Sequence, residues 1–133
     1  MRRLFPLIIV SLVLTSAAAW GAQKKIKLGV LDLQSIHVDP SVASTVDSSL
    51  RRELGGIGFY QVYGQNTIEN GLSQLKIRFR PCSDPRCVIE IGKTLGLDRI
   101  IYGTFDKSGT VSGIRLSLMD IQSRQEIESV SME

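Results

Sequence analysis

Histidine occurs once and cysteine twice in the 133 residues, and these two scarcities remove most catalytic chemistry at the outset. A structural zinc site normally takes four protein ligands and a catalytic one three. The chain offers Cys82, Cys87 and a distant His37, with no acids spaced to complete a set, so neither a metal nor a cofactor is expected. A Ser–His–Asp arrangement would have to be built on His37, and nothing marks its partners. "GGIGF" (55–59) closes a helix rather than opening one, and it lacks the lysine and hydroxyl of a phosphate loop. There is no Gly-x-Ser-x-Gly elbow and no His-Glu-x-x-His pair. Asp32 and Asp39, near His37, form the one acidic cluster close to a strand end, and it reads as a solvated loop. No catalytic residue is assigned, and the chain reads as a non-enzyme.

Low-complexity linkers, internal repeats and a second long apolar run are also missing. The one long run is at the start, in "MRRLFPLIIVSLVLTSAAAWGAQKK". Arg2 and Arg3 precede an apolar stretch from Leu4 to Leu14, broken by Ser11, and Ala17 and Ala19 have the spacing signal peptidase prefers. Residues 1–19 therefore read as a secretory signal, with cleavage after Ala22 as the alternative. An uncleaved anchor competes, because Leu4 to Trp20 reaches the short limit of about 17 residues for a membrane span. Residues 20–133 are expected to form a single α/β domain. Losing the two leader arginines lowers the net charge from +3 to about +1, so the basic balance is no footprint of nucleic acid.

The rest of the chain alternates strand-like and helix-like patterns. "KIKLGVLDL" (25–33) reads as a strand buried on both faces. Asp39 and Pro40 make a cap and first turn, and Ala43, Val46, Leu50 and Leu54 then form one apolar stripe that ends at Gly55 and Gly56. "FYQVY" (59–63) is a second strand, and "TIENGLSQLKIRF" (67–79) a helix with Asn66 or Thr67 as cap. Asp84 and Pro85 repeat the cap-and-proline start, followed by a stripe of Val88, Ile91 and Leu95 and a stop at Gly96. "RIIYGTF" (99–105), a turn at "DKSG" (106–109), "TVSGIRLSLMDI" (110–121) and an edge strand "EIESVSME" (126–133) complete a meander. In it Ile114, Leu116 and Leu118 face one way and Arg115 and Ser117 a wet side. The order β-α-β-α-α-β-β-β predicts a mixed sheet of about five strands with helices packed on it.

Cys82 and Cys87 admit three readings. Metal binding lacks ligands. Redox catalysis draws support from Cys87, which would sit in a first helical turn beside Arg86, but four residues between the cysteines exceed the usual two. In an oxidising compartment a close, even pair becomes a disulfide, and a staple is the preferred reading. Lys76, Arg78, Arg80 and Arg86 gather around this loop. They read as a solvated surface, with contact to an anion or acidic partner as the functional alternative for Arg78, Arg80 and Arg86. Phe59, Tyr60, Tyr63 and Tyr102 lie in or beside strands and read as core.

The run "CSDPRCVIEIGKTLGLDRIIYGTFDKSGTVSGIRLSLMDIQSRQEIESVS" resembles a segment of exported bacterial envelope proteins: a short cysteine loop, a helix–strand patterned C-x-x-E-I-G-K-x-L-G-x-D-x-I-I-x-G, and a hairpin. It is similar to the curli-secretion lipoprotein family, to the TolB amino-terminal domain and to the penicillin-binding-protein activator lipoproteins. The resemblance implies a compact α/β module that binds other envelope proteins and carries no catalytic residues. Two departures stand out: there is no amino-terminal lipid-attachment cysteine, and no final helix follows the last strand before Glu133. A sheet face left bare by that helix would be a docking surface. The expectation is a non-enzymatic periplasmic interaction module, accessory to assembly or regulation of an envelope machine. Its partners would be envelope proteins, without nucleic acid, and any membrane contact would be indirect or through an uncleaved signal. A thiol–disulfide oxidoreductase using Cys82 and Cys87 is the alternative.

Overall fold

The computed structural model describes residues 24–82, 84–108 and 110–133, and the expected secretory signal lies outside them. In chain order the elements are β1 (Ile26–Val30), β2 (Gln34–Ile36), α1 (Pro40–Gly55), β3 (Tyr60–Tyr63), α2 (Gln65–Gln74), α3 (Pro85–Leu95), β4 (Arg99–Ser108), β5 (Val111–Asp120) and β6 (Gln125–Met132). They build one mixed sheet of six strands, in the order β3-β1-β4-β5-β6, with β2 paired to β4 beyond the end of β1. β1 lies parallel to both β3 and β4, whereas β4, β5 and β6 form the expected antiparallel meander.

The single strand expected over 25–33 is two strands in line. β1 pairs Leu28–Val30 with Arg99–Ile101, the chain kinks, and β2 resumes with Gln34–Ile36 against Thr104–Asp106. At the kink the Asp32 and Leu33 amides turn away from the ladder and donate to side chains of Gln65 and Asp47. The predicted turn at 106–109 also shifts, because β4 continues to Ser108.

Capping explains the helices. Asp39 accepts from the Ser41 amide at 2.9 Å and Asp84 from the Arg86 amide at 2.9 Å, each with proline in the first turn. Gly96, at φ 69, closes α3 in the left-handed region, and the Leu97 amide returns to the Gly92 carbonyl. The helix expected over 67–79 occupies Gln65–Gln74 instead, with Gly64 as a cap that has no side-chain bond. Its end is set by Lys76 at φ 59: the Lys76 and Ile77 amides bond back to the Ser73 and Leu72 carbonyls, a paired closure that stops the helix. Residues 77–79, expected as the last turn of that helix, lie outside any helix or strand.

Helices cover both faces. α2 and α3 bury Ile68, Leu72, Val88 and Ile91 against Ile100, Tyr102, Met119 and Ile121. α1 covers the other face at one end, where Ala43 meets Leu33 and Phe105. The wet side expected for β5 is thus dry over its second half: Ser117 and Met119 are buried, Met119 in the core with α2 and α3, whereas Arg115 stays exposed. Gly92 lets α3 lie close to the sheet, since a Cβ there would stand 2.5 Å from the Ile121 side chain.

Candidate functional site

The cysteine loop is the strongest chemical candidate in the sequence. Cys82 and Cys87 are joined in a disulfide, with their Cα atoms 5.7 Å apart. Cys82 is 6% exposed and packs in the main core, while Cys87 is half-buried in the first turn of α3. Thiol exchange needs an attacking thiolate to reach a sulfur, and one sulfur here is walled in by the core. The bond ties the approach segment to α3 and stands in the core as a staple would. Lys76, Arg78, Arg80 and Arg86 all reach solvent around it, and their side chains form no ion pair among the described residues.

The acidic cluster foreseen at Asp32, Asp39 and His37 comes apart. Asp32 pairs with Arg51 at 2.7 Å. Asp39 caps α1, and its bonds from the Ser41 amide and hydroxyl hold its carboxyl below the usual range. His37 sits exposed at φ 57, and among the described residues no group of His, Cys, Asp and Glu could hold a metal ion. The buried acid is Asp47, which sequence reasoning missed. It is 6% exposed and accepts the Leu33 amide at 3.0 Å. Burial pushes its carboxyl above the ordinary value, the Leu33 bond opposes, Asp32 adds to the rise and Arg51 draws it back. The signal was present: Asp47 lies four residues after Ala43 and three before Leu50, on the apolar stripe itself.

The opposite face carries an apolar feature. Between the second half of α1 and β4–β6 lies an open groove of about 360 Å³. Its floor is Ile101, Leu116, Leu118 and Val130, and its wall is Leu50, Leu54, Ile57 and Phe59. Phe59 is 57% exposed, which overturns its assignment to the core, whereas Tyr102 is buried and Tyr60 and Tyr63 are half-buried. Glu128 supplies the one charge in the groove lining. The groove exists because α1 crosses the sheet near Phe105 and leaves the β5–β6 side bare, with Val130 at 43% and Met132 at 53% exposure. β6 is the open edge of the sheet, as the sequence suggested.

No protein-family model matches the chain, and no curated protein does. Solved structures do match. The C-terminal domain of LpoB from Escherichia coli superposes with a TM-score of 0.65 at 17% identity, over 91% of this chain and 90% of that one. Lipoprotein GNA1162 from Neisseria meningitidis gives 0.59 at 20% identity, over 80% and 77%. TolB from Acinetobacter baumannii gives 0.52 at 12% identity, over 84% of this chain and 23% of that one. The fold is TolB-like. At these identities the likeness is one of fold, and it meets the architecture expected from the "EIGKTLGLD" segment. The curli-secretion lipoproteins are not among these matches and rest on the sequence resemblance alone.

Proposed function

We propose that this chain is a non-enzymatic interaction module of the bacterial cell envelope, exported to the periplasm and accessory to the assembly or regulation of an envelope machine. Its fold is shared with the LpoB domain and with a lipoprotein, and the signal-like residues 1–19 suit export. The observation that carries the reading is the groove beneath Phe59: a bare, contiguous apolar surface between α1 and β4–β6. Soluble proteins seldom leave such a contiguous patch without a partner. An envelope protein would dock there, and Arg78, Arg80 and Arg86 would make a second, electrostatic contact that sets approach and orientation. Cys82 and Cys87 serve stability, not turnover. Among the described residues no helix is long and apolar enough to cross a membrane.

The test is a photoreactive amino acid placed at Phe59 in living cells, with the same probe at exposed Lys93 as control. Adducts to one defined envelope component from Phe59, absent from Lys93, support the module. Mixed disulfides of Cys82 or Cys87 with many exported proteins, read on non-reducing gels of the same cells, would instead support thiol exchange.

A further inference from the structure

Between Leu72 and Cys82, both buried, the chain leaves α2 and runs to the disulfide. Of the residues between them only Phe79 packs against the core, and all the others are exposed. The loop is thus fastened at both ends and at one point within, and presents the rest to solvent. Two kinds of side chain are presented. Lys76, Arg78 and Arg80 are basic, and no acid occurs from Ser73 to Cys82. Leu75 and Ile77 are apolar, at 54% and 43% exposure. Ile77, Arg78 and Arg80 line one cavity of about 220 Å³ with α3, where Glu90 is the one acid. Arg86, in the first turn of α3, is exposed as well, and the carboxylate of nearby Asp84 caps that helix. Among the described residues none of these four cations forms an ion pair.

Basic and apolar side chains interleaved on an exposed loop suit one kind of surface. A bilayer with anionic headgroups offers phosphates to the cations and, just beneath, hydrocarbon to the apolar groups. Guanidinium matches phosphate with paired hydrogen bonds, and its long stem keeps it among the headgroups while neighbouring side chains sink deeper. A protein interface is arranged otherwise, with apolar residues gathered at its centre and charges at its rim. The groove beneath Phe59 has that form, and the loop does not. We propose that residues 75–80, together with Arg86, form a contact for an anionic phospholipid bilayer. α2 and α3 lie on the face of the sheet opposite α1, so a molecule held by this loop keeps its groove clear for a protein. The proposal rests on the envelope reading and names the surface met by its second, electrostatic contact. Membrane contact, expected from the sequence to be indirect, is then direct.

The experiment is co-sedimentation of the exported, purified protein with vesicles of phosphatidylcholine, alone or mixed with phosphatidylglycerol. Binding is expected to the vesicles that contain phosphatidylglycerol, and it should weaken as salt screens the charges. Each basic side chain near such a surface strengthens binding about five-fold, so Arg78→Gln with Arg80→Gln should weaken it about 25-fold at low salt. Leu75→Ser with Ile77→Ser should weaken binding but leave its salt dependence unchanged, because only the part entering hydrocarbon is removed. All four positions are exposed, and unchanged urea midpoints verify that both variants fold. Failure to bind, equal binding to both kinds of vesicle, or either variant binding as the parent does overturns the proposal. If the wild type ignores vesicles while the arginine variant loses its Phe59 adduct in cells, the loop meets an acidic protein and the bilayer contact is refuted. Vesicle binding without any Phe59 adduct leaves the bilayer contact standing and removes the docking groove.

Discussion

The carboxylate of Asp47 accepts the Leu33 amide at 3.0 Å beneath α1, at the kink between β1 and β2. A strand amide that has left its ladder thus finds its acceptor on a helix. The bond explains why a charged residue interrupts an apolar stripe: an unpaired Leu33 amide in that place would cost about 1–3 kcal/mol.

Asp47→Leu should therefore destabilise the fold by about 1–3 kcal/mol in urea unfolding, by leaving that amide without an acceptor. Asp47→Asn keeps an oxygen for it and removes the charge. The pH sign follows from the raised pKa. The folded state holds its proton above the ordinary value of 3.8, so the charged form is a net cost at neutral pH. That cost is relieved as pH falls through the folded pKa, and the relief is complete below 3.8. Asp39 and Asp120, whose carboxyls are lowered, act in the opposite sense at lower pH and are common to both proteins. The stability of wild type relative to Asp47→Asn should therefore rise on acidification from neutral pH. A difference that stays flat would contradict the buried-charge account.

Gly92→Ala places a methyl group against Ile121, where the helix and sheet already touch. Overpacking of this kind costs about 1–3 kcal/mol, read as a lower denaturation midpoint. Gly55→Ala, at the end of α1 with nothing within 4 Å of a new Cβ, is the control and should be neutral or slightly stabilising.

Replacing both Cys82 and Cys87 by serine opens a loop of sequence separation 5. A staple this short restricts the unfolded chain by about 2 kcal/mol on the entropy model. The variant should unfold at lower denaturant yet keep its adduct from Phe59. Loss of the adduct without loss of folding would put the cysteines in the function itself.

Phe59→Ser combined with Val130→Ser should leave stability nearly unchanged, because exposed positions of this kind shift it by about 0.5 kcal/mol or less. Partner capture should fall sharply. A double variant that captures as well as the parent, measured with a probe at neighbouring Ile57, would move the docking site elsewhere on the molecule.

Much of the architecture was legible because local chemistry and global fold agree. Asp39–Pro40, Asp84–Pro85 and Gly96 each mark a boundary that the structure keeps. Three features were not legible. The early end of α2 depends on Lys76 taking a left-handed turn, and lysine carries no sequence signal for it. The strand kink depends on Asp47 and Gln65, which reach Leu33 and Asp32 from elsewhere in the chain. Phe59 reads as core in any local pattern, and only the path of α1 across the sheet leaves it bare. Arg78, Arg80 and Arg86 were visible as a cluster, but that their side chains form no ion pair among the described residues is a property of the fold.

The central position of β1 has a consequence for how the chain becomes a protein. Its two neighbours are β3, some thirty residues downstream, and β4, about seventy downstream, where the Lys27 amide is held by Asp98 at a separation of 71. A chain emerging from its amino terminus can assemble β1, α1 and β3, but the face of β1 away from α1 is then left without the elements that cover it. Only when β4 arrives do Ile100 and Tyr102 give α2 and α3 a floor. Contacts this distant in sequence form late and slowly. The core therefore stays open until the last third of the chain has joined it.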